Sequence, residues 1–150
     1  YNDGLSRGLF MKEMTYREII DQYHEFVYAP IGTSMLPLIR EGKDTVKLIA
    51  INRPLKKYDV ILYERKEQFI LHRIVKVKKD TVDIVGDHQY LIEKDVSKKA
   101  IIAIMAGVYR GDRYLVSNSF QMKCYITTTI IMRCLRTYKA KLKRMLRKQS

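Results

Sequence analysis

The sequence predicts a mostly β, α+β fold: an antiparallel β-sheet or partly open barrel, preceded by a short helix and followed by a basic amphipathic helix. Three observations support this class. Apolar residues recur at helical spacings of three and four only towards the two ends of the chain. Between them lie short runs rich in β-branched and aromatic residues. Charged clusters a few residues long separate these runs, so hairpins are the natural connections. With 150 residues the chain has the length of one ordinary domain.

The N-terminal end divides into an extension and a helix. Residues 1–10 contain no methionine and show no periodicity, so we interpret them as an artificial extension or a leader, with Met11 as the expected start. A helix is predicted over residues 15–28, with Thr15 as N-cap and Glu18 completing a capping box. Its apolar positions are Ile19, Ile20, Tyr23, Phe26 and Val27. The helix is expected to end before Pro30.

The middle of the chain is predicted to consist of strands. The β-prone runs are residues 46–50, 60–63, 69–77, 81–85, 100–109 and 114–116. Because the connections are short, mostly antiparallel pairing is expected. Residues 11–118 are therefore predicted to form one β domain, followed by a helical segment at 119–150.

The positive charge of the chain is concentrated in that last segment. Lys and Arg number 29 against 16 Asp and Glu, which gives a net charge of +13. The basic residues of the segment after residue 132, which has no acid, are Arg133, Arg136, Lys139, Lys141, Lys143, Arg144, Arg147 and Lys148. Apolar residues recur at three and four here, which predicts a basic amphipathic helix. The β-sheet, an anionic lipid surface and a partner protein all stay open as its docking surface. Nucleic acid is disfavoured, because the basic run lacks interleaved aromatic residues.

Two further features concern location. The longest apolar run, residues 100–109, is shorter than the roughly 18 residues that a membrane span needs, and no secretory signal pattern is present. Cys124 and Cys134 lie in the predicted C-terminal helix, where about 15 Å would separate them, beyond the reach of a disulfide. A protein that is cytoplasmic or peripheral at a membrane face is expected.

The first candidate for chemistry is the hexapeptide at residues 32–37, Gly-Thr-Ser-Met-Leu-Pro. A serine hydroxyl is a weak nucleophile, so it needs a fixed turn, a base and backbone N–H groups that face the developing oxyanion. Gly32 permits torsions that other residues avoid and Pro37 fixes φ, so Ser34 lies between two constraints. Gly32, Thr33 and Ser34 are the predicted oxyanion segment. The same residue types also make up ordinary loops.

His72 and Asp87 are the candidates for the other two groups of a serine hydrolase. His72 lies inside the long predicted strand, and Asp87 follows Gly86 at the end of the next one. A Ser/His/Asp arrangement needs a nucleophile, a general base and a carboxylate that orients the imidazole. His88 lies in the turn and is ranked below His72 as base. Each residue also has a structural interpretation, as a strand histidine or as part of a Gly-Asp turn.

No metal or cofactor is predicted. The histidines and cysteines lack the closely spaced ligand pairs that zinc sites use. There is no Gly-rich phosphate loop of the P-loop or dinucleotide type.

Four segments, in order, resemble the signal peptidase I clan of serine peptidases, which also contains the self-cleaving LexA-like repressors. Residues 32–37 look like its Ser-Met-x-Pro nucleophile box with a preceding glycine. Residues 58–63 resemble its Gly-Asp-Val strand, with Tyr58 in place of glycine. Residues 71–75 resemble the strand that carries the base, and residues 85–88 resemble its Gly-Asp-Asn box. The β domain is therefore similar to the catalytic domain of a signal peptidase.

The resemblance implies roles for these residues. A histidine at the position of the base is similar to the endoplasmic-reticulum and archaeal branch, so Ser34, His72 and Asp87 would form the catalytic arrangement, with Asp95 as an alternative carboxylate. The clan implies a peptide substrate bound as an added strand and cleavage after small residues. Some members have a serine in place of Gly32, so the oxyanion hole here is expected to use backbone N–H groups, including that of Ser34. The chain departs from the clan in having no transmembrane span.

We therefore expect a serine endopeptidase that removes a leader or signal-type peptide from a precursor. The alternative is a non-catalytic peptide- or lipid-binding adaptor with the same β fold. Residues 11–30 are too short for the DNA-binding domain of the repressors, which argues against a transcriptional role.

Overall fold

The computed structural model describes residues 14–147. In chain order its elements are α1 (Tyr16–Tyr23), β1 (Glu25–Tyr28), β2 (Asp44–Ile49), β3 (Val60–Arg65), β4 (Gln68–Val77), β5 (Thr81–Val85), β6 (Glu93–Ser97), a 3-10 turn (Lys98–Ala100), β7 (Ile101–Arg110), β8 (Arg113–Val116) and α2 (Phe120–Arg147). The extension predicted at 1–10, the expected start at Met11 and the basic residue Lys148 lie outside the described residues.

The strands form one antiparallel sheet. Its order is β1-β2-β7-β3-β4-β5-β6, and β8 pairs with β7 beside this path. The long strand β7 pairs with β2 along one edge, while β3 and β8 pair with different parts of its other edge. The sheet is open, because β1 and β6 end the order without pairing with each other. The predicted class, mostly antiparallel β with a helix at each end, is confirmed.

Apolar residues cover both faces of the sheet. In β3, Ile61 and Tyr63 belong to one buried cluster, and Val60 and Leu62 belong to the other. This division follows from the alternation of side chains along a strand. The cluster that contains Leu62 also takes in residues of α1, of the segment after β1 and of the first turn of α2.

The N-terminal helix is shorter than predicted. The predicted capping box is confirmed: the Glu18 N–H donates to the Thr15 hydroxyl at 3.2 Å, and the Thr15 N–H donates to the Glu18 carboxylate at 2.8 Å. The helix ends after about two turns, because His24 adopts a left-handed conformation with φ of 62°. The rest of the predicted helix is strand β1, paired with β2.

The remaining elements agree with the sequence except at β6. The six predicted strands match β2 to β5, β7 and β8 to within two residues at each end. Strand β6 was not predicted, because its sequence, Glu-Lys-Asp-Val-Ser, is mostly polar. Its pairing with β5 shifts register between Val82 and Ile84. The predicted basic helix is α2, in which Cys124 and Cys134 are both free. Across residues 14–147, neither helix has the length and apolar character needed to cross a membrane.

Candidate active site

The segment between β1 and β2 holds Ser34 in a fixed turn. Gly32 has φ of +97°, a left-handed conformation that glycine adopts without strain. Met35, Leu38 and Ile39 are buried in the core, and the Ile39 N–H donates to the Met35 carbonyl at 3.0 Å. Ser34 itself is half-buried at the boundary between this anchored part and the exposed residues before it. The turn is thus anchored in the core by the residues after Ser34 and is open to solvent at the residues before it.

Ser34 packs directly against Gly86. The His88 N–H donates to the Ser34 carbonyl at 2.8 Å. A Cβ on Gly86 would lie 2.6 Å from the Ser34 carbonyl oxygen and 3.0 Å from the Ser34 Cβ. Only a residue without a side chain permits this approach, so the glycine of the Gly-Asp-His segment has a steric role here.

The strand register relates the same contact to His72. In the pairing of β4 with β5, Arg73 lies opposite Val85, so one further step places Gly86 opposite His72. Opposed residues of an antiparallel pair project to the same face, with Cβ positions about 5 Å apart. Ser34 occupies the space that a Gly86 side chain would fill, and it therefore lies on the face to which the imidazole projects. Across residues 14–147, no hydrogen bond joins the Ser34 hydroxyl to His72.

Backbone donors are free beside the hydroxyl. In the turn, the Leu36 N–H donates to the Thr33 carbonyl at 3.2 Å. Within the described part of the chain, the N–H groups of Thr33, Ser34 and Met35 have no hydrogen-bond acceptor. Such donors are what an oxyanion hole requires. The predicted oxyanion segment is compatible with this geometry.

His72 is buried, and the Tyr63 hydroxyl lies beside its Nδ1 atom. Only 6% of the residue is exposed, and its Nδ1 lies 3.5 Å from the Tyr63 hydroxyl. The Tyr63 hydroxyl donates to the Glu93 carboxylate at 2.8 Å, so its oxygen can accept a long hydrogen bond from Nδ1–H. This tautomer leaves Nε2 without a proton, as a general base requires. Arg65 donates to the same Glu93 carboxylate at 2.9 Å.

The electrostatics of this group favour a neutral imidazole. Burial lowers the pKa of His72 from 6.5, and the negative charges of Glu93 and Asp87 oppose the shift only in part. Burial, followed by the bond to Glu93, raises the pKa of Tyr63 well above 10, so the phenol keeps its proton. The neutral imidazole is the form that can accept a proton from serine.

Asp87 differs from the expectation that it orients the imidazole. It lies two residues after Val85 and therefore projects to the same face of the sheet as Arg73, whereas His72 projects to the other face. Its fully buried carboxylate accepts bonds from Arg73 Nε at 2.7 Å and Nη2 at 2.6 Å, and from the Tyr125 hydroxyl at 3.1 Å. Burial, more than the charge of Asp87, raises the pKa of Tyr125 to about 12. Asp87 thus connects β4 to α2.

The other candidates lie elsewhere. Asp95 is exposed and pairs with Lys78 at 2.7 Å, with φ of 59°. His88 is exposed and lines the same open cleft as His72. Among the described residues, no three His, Cys, Asp or Glu side chains group together as a metal site would need.

Two residues that the sequence did not single out for a role are Tyr63 and Glu93. Tyr63 pairs with Ile70, two residues from His72 and on the same face. The register of β3 with β4 would therefore have identified Tyr63 as a neighbour of His72. Glu93 lies in β6, the strand that the sequence did not predict, and gives no such signal.

A small cavity and a free strand edge lie beside Ser34. The cavity, of about 80 Å³, is lined mainly by apolar residues: Tyr28, Pro30, Ile31, Gly32, Ser34, Met35, Ile39, Phe69, Ile70 and Leu71. Strand β4 pairs with β3 over residues 68–73, whereas β5 pairs only with residues 73–77. In the described part of the chain, residues 68–71 thus have one edge without a strand partner.

Comparison with protein-family models and with curated proteins finds no match to this chain.

Proposed function

We propose that this protein is a serine endopeptidase that removes a leader or signal-type peptide from a precursor, with Ser34 as nucleophile and His72 as general base. The observation that carries the proposal is the contact between Ser34 and Gly86, at the register position opposite His72. The hydroxyl and the free N–H donors belong to one turn, and the strand register relates that turn to an imidazole 38 residues further along the chain.

The proposed reaction follows from the protonation states of these groups. Neutral His72 accepts the Ser34 proton at Nε2 while Oγ attacks the scissile carbonyl carbon, and the oxyanion accepts bonds from free N–H groups of the turn. The imidazolium then donates its proton to the leaving amine. Water, deprotonated by His72, hydrolyses the acyl-enzyme and restores Ser34. The Tyr63 hydroxyl and the Glu93 carboxylate behind it stabilise the imidazolium that forms in each half-reaction.

The hydroxyl and the imidazole need to approach each other before this reaction begins. Catalytic hydrogen bonds are often long or poorly aligned in a free enzyme and tighten when substrate binds. The proposed step requires the Ser34 side chain to rotate towards His72 while the turn keeps its contact with Gly86.

The substrate is proposed to bind as an added strand along residues 68–71 of β4. Their free edge offers N–H and C=O groups to an extended peptide, and the peptide would then run past Ser34. The adjacent cavity, about 80 Å³, is far smaller than ordinary ligand pockets of roughly 300 Å³ or more. It suits one small apolar side chain, which supports cleavage after a small residue.

We place this activity at a membrane face, where precursors with signal-type peptides are found. The support is the charge of α2, which has eight Lys or Arg residues and no acid. The sequence prediction of a peripheral location is retained on this ground.

The test is removal of the Ser34 hydroxyl by substitution with alanine. Ser34→Ala should abolish cleavage of a signal-type peptide with a small residue before the scissile bond, and should abolish labelling by a fluorophosphonate probe. Removal of a triad nucleophile costs several orders of magnitude in rate, so a simple assay is sufficient. Ser97→Ala is the matched control, since Ser97 lies on β6 and only caps the 3-10 turn. Cleavage retained in folded Ser34→Ala would contradict the proposal.

The adaptor hypothesis has one observation in its favour: among the described residues, the Ser34 hydroxyl makes no hydrogen bond. An adaptor would bind the same extended peptide and would not react with the phosphonate. Peptide binding by the wild-type protein without labelling at Ser34 would favour this second function.

A further inference from the structure

Helix α2 has one face on the body of the protein. Met122 and Thr129 are buried, and the Tyr125 hydroxyl donates to Asp87. One turn and two turns further, Arg133 lies 3.8 Å from the Asp87 carboxylate and Arg136 donates to the His88 carbonyl at 3.4 Å. These contacts fall every three or four residues, on a single side of the helix.

The contacts end at Arg136. All residues from 137 to 147 are exposed, so about 16 Å of helix extends beyond the body. Eight basic residues were predicted to face an anionic surface. Two of them, Arg133 and Arg136, face the body instead, because they contact Asp87 and His88. The described residues left for such a surface are Lys139, Lys141, Lys143, Arg144 and Arg147.

The opposite side of α2 has an exposed apolar stripe. At about 100° per residue, its members fall within an arc of about 100° that points away from the body. They are Phe120, Ile131, Leu135, Tyr138, Leu142, Met145 and Leu146. The side chains are well exposed, up to 80% for Phe120 and 67% for Tyr138. The stripe is continuous from Ile131 to Leu146, whereas Cys124, Thr127 and Thr128 lie on the same face between Phe120 and Ile131, and it has no partner among the described residues.

The charges beside the stripe select its partner. Lys139 and Lys141 border it on its two sides, and α2 contains no acidic residue. Long basic side chains at this position place their stems along apolar surface and their ammonium groups in a polar, anionic layer. The boundary between lipid headgroups and acyl chains has both properties.

A second copy of the chain fits less well. The spacing of Ile131, Leu135, Tyr138, Leu142 and Met145 alternates between four and three, like the seam of a coiled coil. The positions that flank such a seam are Lys139 and Lys141, and α2 has no acidic residue that could pair with them across a dimer in either orientation.

We propose that α2 binds the surface of an anionic lipid bilayer through this stripe, with the body held on the far side of the helix. A helix is about 10 Å across, so the Asp87 and His88 segment, and Ser34 against it, would lie about that far above the headgroups. The binding surface is independent of the chemistry at Ser34.

The experiment is co-sedimentation of the full chain with vesicles of phosphatidylcholine, with or without 30–40% phosphatidylserine. Binding should require the anionic lipid and should be lost in roughly 0.5 M salt, at which surface charges are screened over a few ångströms. Lys139→Gln with Lys141→Gln should weaken binding roughly thirtyfold, at about fivefold per lost charge. Lys94→Gln, on exposed β6, is the control.

The apolar stripe is tested separately. Leu135→Ser with Leu142→Ser should weaken vesicle binding by at least about tenfold, since each leucine loses its burial in lipid. Both positions are exposed, so the fold should persist, which circular dichroism checks. Leu91→Ser, at an exposed leucine outside α2, should bind like the wild type.

Several results would overturn the proposal. They are equal binding to neutral vesicles, unchanged binding by the Leu135 and Leu142 double variant, and a stable dimer in sedimentation equilibrium that these substitutions dissociate. Absence of vesicle binding together with tight binding to an acidic helical peptide would assign the stripe to a protein partner instead. Because vesicle binding is measured in Ser34→Ala as well, failure here is distinguishable from failure of the peptidase proposal.

Discussion

Gly86→Ala should remove activity by displacing the nucleophile turn. The added methyl carbon would lie 2.6 Å from the Ser34 carbonyl oxygen, about 0.8 Å short of the 3.4 Å at which ordinary contacts begin. The opposing atom belongs to the backbone, so either the turn or the end of β5 has to shift by nearly that amount. Overpacking of this kind costs about 1–3 kcal/mol of unfolding free energy. A displacement of about 1 Å at a reacting group costs on the order of a hundredfold in rate.

Gly107 provides a matched control for this substitution. A Cβ there would lie 2.6 Å from the Leu115 carbonyl oxygen, an equally close backbone contact, but between β7 and β8 and away from Ser34. Both variants should therefore lose similar stability in urea titrations, and only Gly86→Ala should lose kcat/KM. Neither glycine has a positive φ, so backbone strain does not confuse the comparison. Full activity in Gly86→Ala, or equal loss of activity in Gly107→Ala, would refute the reasoning.

Three further predictions concern Tyr63, His72 and Asp87. Tyr63→Phe should lower kcat about tenfold with little change in KM, because one hydrogen bond of about 1.5 kcal/mol to the charged imidazolium is lost; an unchanged kcat in steady-state assays would remove Tyr63 from the mechanism. The buried His72 has a pKa below 6.5 in the folded state, so the unfolded chain binds more protons between that value and 6.5. The unfolding free energy should therefore rise with pH through this window, and the gain should be complete above pH 6.5. The acid limb of the pH profile of kcat/KM should lie below pH 6.5, and a limb above 6.5 would contradict the assignment of His72 as base. Asp87→Asn should lower unfolding free energy by about 3–5 kcal/mol in urea titrations, since it leaves Arg73 buried without its ion pair, and the double variant with Arg73→Met should recover part of the loss.

The sequence could predict most strands because their apolar runs and turns are locally defined. It could not divide the N-terminal helix from β1, since Phe26 and Val27 satisfy the helical spacing as well as a strand does. What decides the matter is tertiary: Phe26 stacks on Tyr16 with ring centroids 5.4 Å apart, and the segment pairs with β2. Strand β6 is decided in the same way, by pairing with β5 and not by its own composition.

The site shows the same limit at the level of single side chains. The order of motifs was sufficient to name Ser34 and His72, but the partner of each depends on which face its strand presents. A two-residue step from Val85 sends Asp87 to the side of Arg73, and a two-residue step from Ile61 sends Tyr63 to the side of His72. Spacing along the chain shows which residues of one strand share a face, but not how that strand is aligned with its neighbour. The Asp87 carboxylate was therefore assigned to His72, whereas its observed bonds are with Arg73 and Tyr125.

The Gly-Asp-His segment acquires a different meaning from these bonds. Gly86 leaves space for Ser34, the next residue fixes Arg73 and Tyr125 through a buried carboxylate, and His88 donates its N–H to the Ser34 carbonyl while its own carbonyl accepts from Arg136. Three consecutive residues thus attach the nucleophile turn to the sheet on one side and to α2 on the other. For the proposed catalysis, a carboxylate in this place does not need to contact the imidazole, since loss of its ion pair would release the turn that is proposed to position the serine. Because α2 contacts Asp87 and His88, movement of that helix would reach Ser34 through backbone bonds and not through the imidazole.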